Sequence, residues 1–329
     1  MRNMKMFTIG MAAAMTGLCR RIGAGLAALV VMGCAGADAG ADDPQSPAAV
    51  TPDGTFAASD TCATDEDAFA GRLRHLEREK DAVVGVYAFA TGTGEDLAYR
   101  ADERFAFAST GKALAAAVVL DQLSSRDLSR RLYWTEADLV PYSPVTELHV
   151  EDGLTVRAVL EAAVTVSDNT AANLMFDLIG GPRGLDEALE DVGDDTTEAV
   201  RREPDLNDYT PGDVRDTTTP RAIASSLAAF AVGGELKPSD ERLFNNMLLR
   251  NTTGDALIRA AVPASWRVGD KTGSASYGTR NDIAVVTSPG RTPVVVAVLT
   301  RHSTADAATD DGLVAEAARA VVGSWCGPH

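Results

Sequence analysis

A serine and a lysine three positions apart form the first candidate for chemistry in this chain. Ser109 and Lys112 lie in the only S-x-x-K segment of the sequence, and there are only five lysines against 25 arginines. Residues i and i+3 share one face of a helix, so the ammonium can approach the hydroxyl. A lysine in a dry site can be neutral enough to accept the proton of a serine nucleophile. The spacing predicts a nucleophile with its base; the alternative is that Ser109 only caps a helix.

Two further motifs carry groups suited to a substrate with an amide and a carboxylate. Residues 167–169, Ser-Asp-Asn, are the only S-x-N in the chain. The hydroxyl could relay a proton and the amide could hold a substrate amide, with a helix cap as the alternative. Residues 271–274, Lys-Thr-Gly-Ser, lie on a predicted strand where the glycine would let a ligand approach the backbone. The alternative there is a solvated edge strand that turns at Gly273.

A polar segment with a proline provides the fourth candidate. Residues 201–207 are Arg-Arg-Glu-Pro-Asp-Leu-Asn, and Pro204 with Pro211 and Gly212 predicts a compact surface loop. Glu203 is a candidate base within that loop. Taken alone, the segment is more simply interpreted as an ordinary solvated loop.

Other catalytic arrangements have little support in the sequence. No spaced metal motif contains any of the four histidines, and no G-x-S-x-G segment indicates a Ser-His-Asp hydrolase. Cys62 and Cys326, the cysteines beyond the N-terminal segment, are far apart in the chain. We therefore expect no metal and no cofactor.

The hydrophobic pattern predicts the elements that would position these residues. Helices are expected over 65–80, from 109 to about 124 and over 306–324, and strands over 83–90, 96–100, 266–273, 281–288 and 293–300. The middle of the chain, up to about residue 261, is mostly helical. This order indicates an α+β fold in which the terminal strands form one antiparallel sheet and the middle forms a helical lobe.

Together the four motifs resemble those of class A serine β-lactamases. S-x-x-K, S-D-N and K-T-G form the motif set of these enzymes and of penicillin-binding proteins, and their order and spacing match from about residue 68 to 324. The segment around Glu203 resembles the Ω-loop of the family, which penicillin-binding peptidases lack. Residues 142–146 resemble the stretch that carries an aromatic residue, here Tyr142, at the rim of the site.

The resemblance implies a role for each matching residue. The catalytic residues would be the nucleophile Ser109, its proton-transfer partner Lys112, Ser167 as proton donor to the lactam nitrogen, and Glu203 as base for the hydrolytic water. Substrate or water would be bound by Tyr142, Asn169, Asn207, Lys271, Thr272, Gly273, Ser274 and Arg280. Backbone N–H groups of Ser109 and Ser274 would form the oxyanion hole. Either Lys112 or Glu203 could be the acylation base.

The resemblance also makes the fold prediction specific. We expect a five-stranded antiparallel sheet flanked by both terminal helices, with the active site between it and an all-helical lobe. The α/β lobe would cover 62–105 and 259–329, and the helical lobe 106–258, including the Ω-loop 201–216. A cis Glu203–Pro204 bond and an Arg201–Asp216 salt bridge are implied. The antiparallel terminal helices imply a Cys62–Cys326 disulfide, with two separate thiols as the alternative.

The N-terminus has the features of an export signal over 1–34, followed by a flexible tether over 35–61. Arg20 and Arg21 resemble a twin-arginine signal, and the apolar run 22–33 is too short to span a bilayer. Residues 31–34 resemble a lipobox, so both lipidation of Cys34 and simple cleavage further on are open. We expect a periplasmic or extracellular protein, or one lipid-anchored at the outer face of the cytoplasmic membrane.

Charge limits the partners. The net charge is −17, and loss of the four basic residues in 1–34 makes it −21, which disfavours nucleic acid and anionic membranes. We expect a monomer whose partner is a small β-lactam and whose membrane contact is limited to a lipid on Cys34.

Two other functions share part of the motif set. A D,D-peptidase has the first three motifs, but the presence of Glu203 in the Ω-loop of this chain argues against that function. A non-catalytic penicillin sensor would not need the intact nucleophile and base that this chain has. The sequence therefore predicts a β-lactamase that opens penicillins and cephalosporins through a Ser109 acyl-enzyme, deacylated by water that Glu203 activates. Ala108 and Ala275 occupy the places of a disulfide found in carbapenem-hydrolysing members, so that bridge is absent.

Overall fold

The structure, a computed structural model, describes residues 66–324. The α-helices in this range are α1 Glu66–Lys80, α2 Gly111–Gln122, α3 Val156–Thr165, α4 Asn169–Leu178, α5 Pro182–Asp191, α6 Pro220–Ala231, α7 Pro238–Leu249 and α8 Asp311–Ser324. The strands are β1 Ala82–Ala90, β2 Asp96–Tyr99, β3 Phe105–Ala106, β4 Arg131–Leu132, β5 Leu154–Thr155, β6 Thr217–Thr218, β7 Arg267–Ala275, β8 Thr279–Thr287 and β9 Val294–His302. The predicted export signal, the tether, Cys34 and the cysteines of the predicted disulfide, Cys62 and Cys326, lie outside the described residues.

Five strands form one antiparallel sheet in the order β2-β1-β9-β8-β7. Strand β1 pairs with β9 along its whole length, from Ala82 opposite His302 to Ala90 opposite Val294. Strands from the beginning and the end of the chain therefore share one sheet, and the predicted α+β fold is confirmed. Among the described residues, no helix is long and apolar enough to cross a membrane.

The two faces of the sheet bury different helices. On one face, α1 and α8 pack with the strands in an apolar cluster that includes Phe69, Leu73, Val298 and Val314. On the other face lies the helical middle of the chain, centred on α2. Every residue of α2 from Gly111 to Leu120 is buried, as expected for a helix that is apolar all round.

Two helix starts differ from the prediction, each for a local reason. The last helix begins at Asp311 rather than at 306, because the side chain of Asp310 accepts a hydrogen bond from the Leu313 N–H and caps it there. Residues Ala108–Thr110 form a 3₁₀ turn before α2, so the helix begins at Gly111.

The start of α2 lies between two segments that carry candidate site residues, the loop 201–216 and strand β7. The β3–β6 pairing and a 3.1 Å hydrogen bond from Phe107 N to Asp216 O join this segment to the end of the loop 201–216. On the other side, strand β7 lies so close that a Cβ on Gly273 would be 3.0 Å from Phe107 O and 3.1 Å from Thr110 N. Only glycine permits this approach without displacement of the backbone.

Candidate active site

The turn before α2 presents the hydroxyl of Ser109. Ala108 has φ +49°, a left-handed conformation that is unfavourable for alanine and is often found where a turn positions a functional group. Thr110 is the residue that precedes α2, and no side chain caps this helix. Ser109 Oγ instead lies 3.4 Å from Glu203 Oε1. The alternative in which Ser109 only caps a helix is therefore wrong.

Lys112 connects three of the four motifs. Its side chain is buried, and Nζ lies 3.0 Å from Glu203 Oε1. Nζ also donates to the backbone oxygen of Ser167 at 2.7 Å, to Ser167 Oγ at 3.3 Å and to Asn169 Oδ1. Burial lowers the pKa of Lys112, while the Glu203 carboxylate opposes this shift. The lysine thus occupies a dry site with an acid beside it.

In the S-D-N motif, Asp168 stabilises the local backbone and Ser167 faces the two buried lysines. Asp168 caps α4 by accepting from Ala171 N at 2.8 Å and also accepts from the Val145 and Thr146 N–H groups at 2.9 Å each. The predicted helix cap is thus present, and it is made by Asp168. Ser167, with φ +63°, directs its hydroxyl between two ammonium groups instead. The distances from Ser167 Oγ are 3.3 Å to Lys112 Nζ and 3.1 Å to Lys271 Nζ.

Lys271 projects from β7 and is fully buried. Burial, followed by the charge of Lys112, lowers its pKa to about 7. Its Nζ donates to Thr272 O at 2.8 Å as well as to Ser167. The hydroxyls of Thr272 and Thr253 lie 2.6 Å apart. A titratable ammonium and two hydroxyls are therefore gathered at one end of the cleft.

Arg280 borders the same end of the cleft from β8. Its Nη1 donates to Ser274 Oγ at 3.1 Å, its Nη2 to Thr253 O at 3.4 Å and its Nε to Asp311 Oδ1 at 2.6 Å. These contacts hold the guanidinium beside the hydroxyl of Ser274 and the backbone carbonyl of Thr253. A guanidinium and an adjacent hydroxyl suit an anion such as a carboxylate.

Glu203 is directed inward by the loop that carries it and is only 3% exposed. The Glu203–Pro204 bond is cis, as predicted. Asn207 Nδ2 donates to Glu203 Oε2 at 2.5 Å, while Asn207 Oδ1 is buried with no hydrogen-bond partner among the described residues. An unpaired buried acceptor beside a carboxylate is suited to a bound water.

Two residue pairs hold this loop in place. At its neck, Arg201 Nε lies 2.5 Å from Asp216 Oδ2, which confirms the predicted salt bridge. On α4, the side chain of Asn173 binds the backbone of Glu203 in both directions: Nδ2 donates to its carbonyl at 2.8 Å, and Oδ1 accepts from its N–H at 3.0 Å. The position of the carboxylate thus depends on an asparagine from a different element.

Nine of the predicted site residues line one cleft of about 350 Å³, while Lys112, Glu203 and Lys271 are buried and do not line it. The cleft is lined by Ser109, Tyr142, Ser167, Asn169, Asn207, Thr253, Thr272, Gly273, Ser274 and Arg280. Tyr142 is 62% exposed at the rim and has φ +63°. A more apolar cavity of about 240 Å³ lies between α8 and the sheet, near Trp266 and Val294, and contains none of the motif residues. The chemistry of the chain therefore centres on the cleft.

Sequence reasoning missed Asn173, Thr253 and Asp311. Asn173 follows Asn169 by four residues and so shares its helix face, a signal that could have been used. No local pattern indicates Thr253 or Asp311, because their partners Thr272 and Arg280 lie 19 and 31 residues away in the chain.

Comparison with known proteins assigns the family. Residues 68–325 match the model of the "Beta-lactamase enzyme family". A β-lactamase of Amycolatopsis lactamdurans is 53% identical over 247 residues, which cover 75% of this chain and 82% of that protein. A β-lactamase of Bacillus licheniformis is 50% identical over 247 residues, 75% of this chain and 80% of the relative. The chain belongs to the β-lactamase enzyme family.

Comparison with solved structures identifies the class of β-lactamase to which the chain belongs. The class A β-lactamase of Clostridium kluyveri DSM 555 superimposes with a TM-score of 0.77 at 43% identity, covering 78% of this chain and 98% of that one. A β-lactamase of Desulfarculus baarsii DSM 2075 gives a TM-score of 0.78 at 42% identity, with coverage of 79% and 98%. With its S-x-x-K serine and the glutamate loop, the chain is a class A serine β-lactamase, which hydrolyses β-lactams.

Proposed function

We propose that Ser109 forms the acyl-enzyme and that Glu203 directs the water that hydrolyses it. The observation that carries this proposal is the meeting of three groups: Glu203 Oε1 lies 3.4 Å from Ser109 Oγ and 3.0 Å from Lys112 Nζ. A nucleophile, a buried amine and a carboxylate within hydrogen-bond reach can pass a proton among themselves in both half-reactions.

In acylation, Ser109 Oγ attacks the carbonyl carbon of the lactam and gives up its proton. Both Lys112 and Glu203 are near enough to assist, and the burial that lowers the pKa of Lys112 favours its neutral amine. The developing oxyanion would accept from the N–H groups of Ser109 and Ser274. As the C–N bond breaks, the lactam nitrogen takes a proton from Ser167 Oγ. Lys112 or Lys271 can then return a proton to this hydroxyl, because their Nζ atoms lie 3.3 and 3.1 Å from Ser167 Oγ.

In deacylation, a water held by Glu203 and Asn207 attacks the ester carbonyl. Glu203 removes the proton of this water, the bond from the acyl carbon to Ser109 Oγ breaks, and Ser109 recovers a proton. The unpaired Oδ1 of Asn207 supports this assignment, because it can accept a hydrogen bond from the water while Nδ2 orients the carboxylate. General-base assistance typically contributes about 10²- to 10⁴-fold.

The substrate carboxylate would bind at Lys271, Thr272, Ser274 and Arg280, with Gly273 allowing close approach to the strand. Asn169 would hold the side-chain amide of the substrate. Its Nδ2 donates to Pro141 O at 2.8 Å, and an amide nitrogen has a second hydrogen to offer. Tyr142, exposed at the rim, would cover the bound substrate.

We also propose that the enzyme acts as a monomer outside the cytoplasm, either released or anchored through a lipid on Cys34. The basic residues and short apolar run of 1–34 support this location. Expression of the full chain followed by separation of cytoplasm, membrane and medium tests it. A Cys34→Ala variant should move membrane-bound activity into the soluble exported fraction if the anchor exists.

Steady-state turnover of nitrocefin and benzylpenicillin by the purified chain tests the proposed roles, with Ser109→Ala as the matched variant. We expect turnover by the wild type and none by the variant, which should keep its melting temperature. Turnover that survives Ser109→Ala would contradict the assignment of the nucleophile.

A further inference from the structure

Behind the carboxylate-binding strand lies a second pair of acids that the reaction does not use. Asp270 on β7 and Asp282 on β8 are both 0% exposed. In the β-sheet register Asp282 is opposite Thr272, and Asp270 is opposite Ala284. The two acids are therefore diagonal neighbours on one face of the sheet, the face opposite Lys271.

The hydrogen bonds of the two acids are unequal. Asp270 Oδ1 accepts from Arg259 Nε at 2.7 Å, and Oδ2 accepts from Asn251 Nδ2 at 2.6 Å. Asp282 Oδ2 accepts only from the Ile258 N–H at 3.1 Å. Asp282 Oδ1 is buried and has no partner within the described part of the chain. One guanidinium thus satisfies one carboxylate and leaves an oxygen of the other unpaired.

A second negative charge at this place would be unfavourable. Burial without pairing penalises a carboxylate, and a like charge beside it adds to the penalty. Burial first, and then the charge of Asp270, raises the pKa of Asp282 well above its usual range. The charges of Arg280 and Lys271 lower the pKa of Asp282 and so oppose this shift, while Arg259 is already paired with Asp270.

We propose that Asp282 is a positioning residue that remains a neutral acid, with Oδ1 holding a proton shared with the Asp270 carboxylate. The unpaired oxygen then becomes a donor, and the pair carries one negative charge, which Arg259 balances. This arrangement keeps the field of Lys271 and Arg280 positive at the neighbouring Thr272, where the substrate carboxylate binds. The inference deepens the carboxylate subsite and so depends on the proposed function.

The first test detects the proton directly. Infrared spectra of the intact enzyme labelled with ¹³C-carboxyl aspartate distinguish a protonated acid from carboxylates at about pH 8, where ordinary aspartates are ionised. We expect one protonated aspartate in the wild type and none in Asp282→Asn. In Asp270→Asn, Asp282 stays buried, so the signal should persist but shift in frequency, because the acid has lost the carboxylate with which it shares the proton. A wild type without the signal, or a signal that persists in Asp282→Asn, would overturn the proposal.

The second test uses KM, which a merely structural role would not change with pH. As pH rises, ionisation of Asp282 should weaken binding of benzylpenicillin in the wild type, by about tenfold for one neighbouring charge. In Asp282→Asn this increase in KM should be absent, and KM should rise with pH only through the loss of the charge on Lys271. Benzylpenicillin methyl ester, which has no carboxylate, is the matched substrate and should show no difference between the enzymes.

Identical alkaline KM profiles for the two enzymes on benzylpenicillin would contradict the positioning role. If Asp270→Asn does not fold, Asp282→Asn alone decides, because its amide keeps the size of the acid and can still accept from Ile258. The infrared result is independent of turnover. A wild type that failed to hydrolyse penicillin would therefore refute the proposed function and leave the location of the proton decided by the spectra.

Discussion

The ammonium nitrogen of Lys112 lies 3.0 Å from Oε1 of Glu203, with both side chains almost completely buried. This contact joins α2, which follows the turn that carries the proposed nucleophile, to the loop that carries the proposed base. In the proposed mechanism this carboxylate acts in acylation through Lys112 and in deacylation through water, so the loop must be held accurately for both steps.

Removal of Asn173 should affect hydrolysis of the ester more than its formation. Asn173→Ala removes both hydrogen bonds to the backbone of Glu203, each worth about 1 kcal/mol. We expect kcat to fall by about tenfold or more, with accumulation of acyl-enzyme in the steady state. Asn246→Ala, the same substitution at an exposed asparagine on α7, is the control and should turn over normally. Equal rates for the two variants would show that Asn173 does not position the base.

The salt bridge at the loop neck should contribute to both stability and deacylation. Asp216→Ala leaves Arg201 unpaired and removes the acceptor of the Val200 and Arg201 N–H groups, 2.9 Å each. Breaking a buried pair typically costs about 3–5 kcal/mol, and the partly exposed arginine should reduce this value. Thermal unfolding should show a lower Tm, and burst kinetics slower deacylation. Asp213→Ala, which breaks an exposed pair with Arg215 nearby, should change neither.

A side chain at Gly273 should lower activity. A Cβ there would lie 3.0–3.1 Å from Phe107 O, Ala108 Cβ and Thr110 N, so the strand or the nucleophile turn must yield by a few tenths of an ångström. Because a displacement of about 1 Å can reduce catalysis roughly 10²-fold, we expect this smaller shift to lower kcat/KM by up to about tenfold. Gly71→Ala on α1 is the matched control, because its nearest neighbour would be 3.9 Å away. A Gly273→Ala enzyme with wild-type kcat/KM would disprove the close approach.

The lowered pKa of Lys271 predicts an alkaline limit to activity. With a pKa of about 7 in the free enzyme, Lys271 loses its charge as the pH rises above that value and binds an anionic substrate less well. The profile of kcat/KM against pH reports groups of the free enzyme. We expect kcat/KM of the wild type to decline from neutral to about pH 9. Lys271→Arg should lose the part of this decline that begins near pH 7, because arginine stays charged, even if its activity is lower overall. A flat wild-type profile would contradict this account.

Much of the fold was predictable because its signals are local. Apolar alternation and turn residues located the five strands, and the uniformly apolar run after Ser109 located the buried helix. The site was predictable where motifs are contiguous, as in residues 167–169 and 271–274. Asn173 and Asp282 were not, because their roles depend on which distant backbone or carboxylate the fold brings beside them. Nothing in the sequence near Asp282 shows that its diagonal neighbour on the adjacent strand is a second buried acid.

The central claim is that Glu203 is the base for deacylation, and one variant tests it most directly. Glu203→Gln keeps the shape of the side chain and removes the base. Incubation of this variant with benzylpenicillin, followed by mass spectrometry of the intact protein, should show about one equivalent consumed and an adduct on Ser109 that persists. Ser109→Ala should form no adduct. Turnover by Glu203→Gln at the wild-type rate, with no trapped ester, would contradict the account.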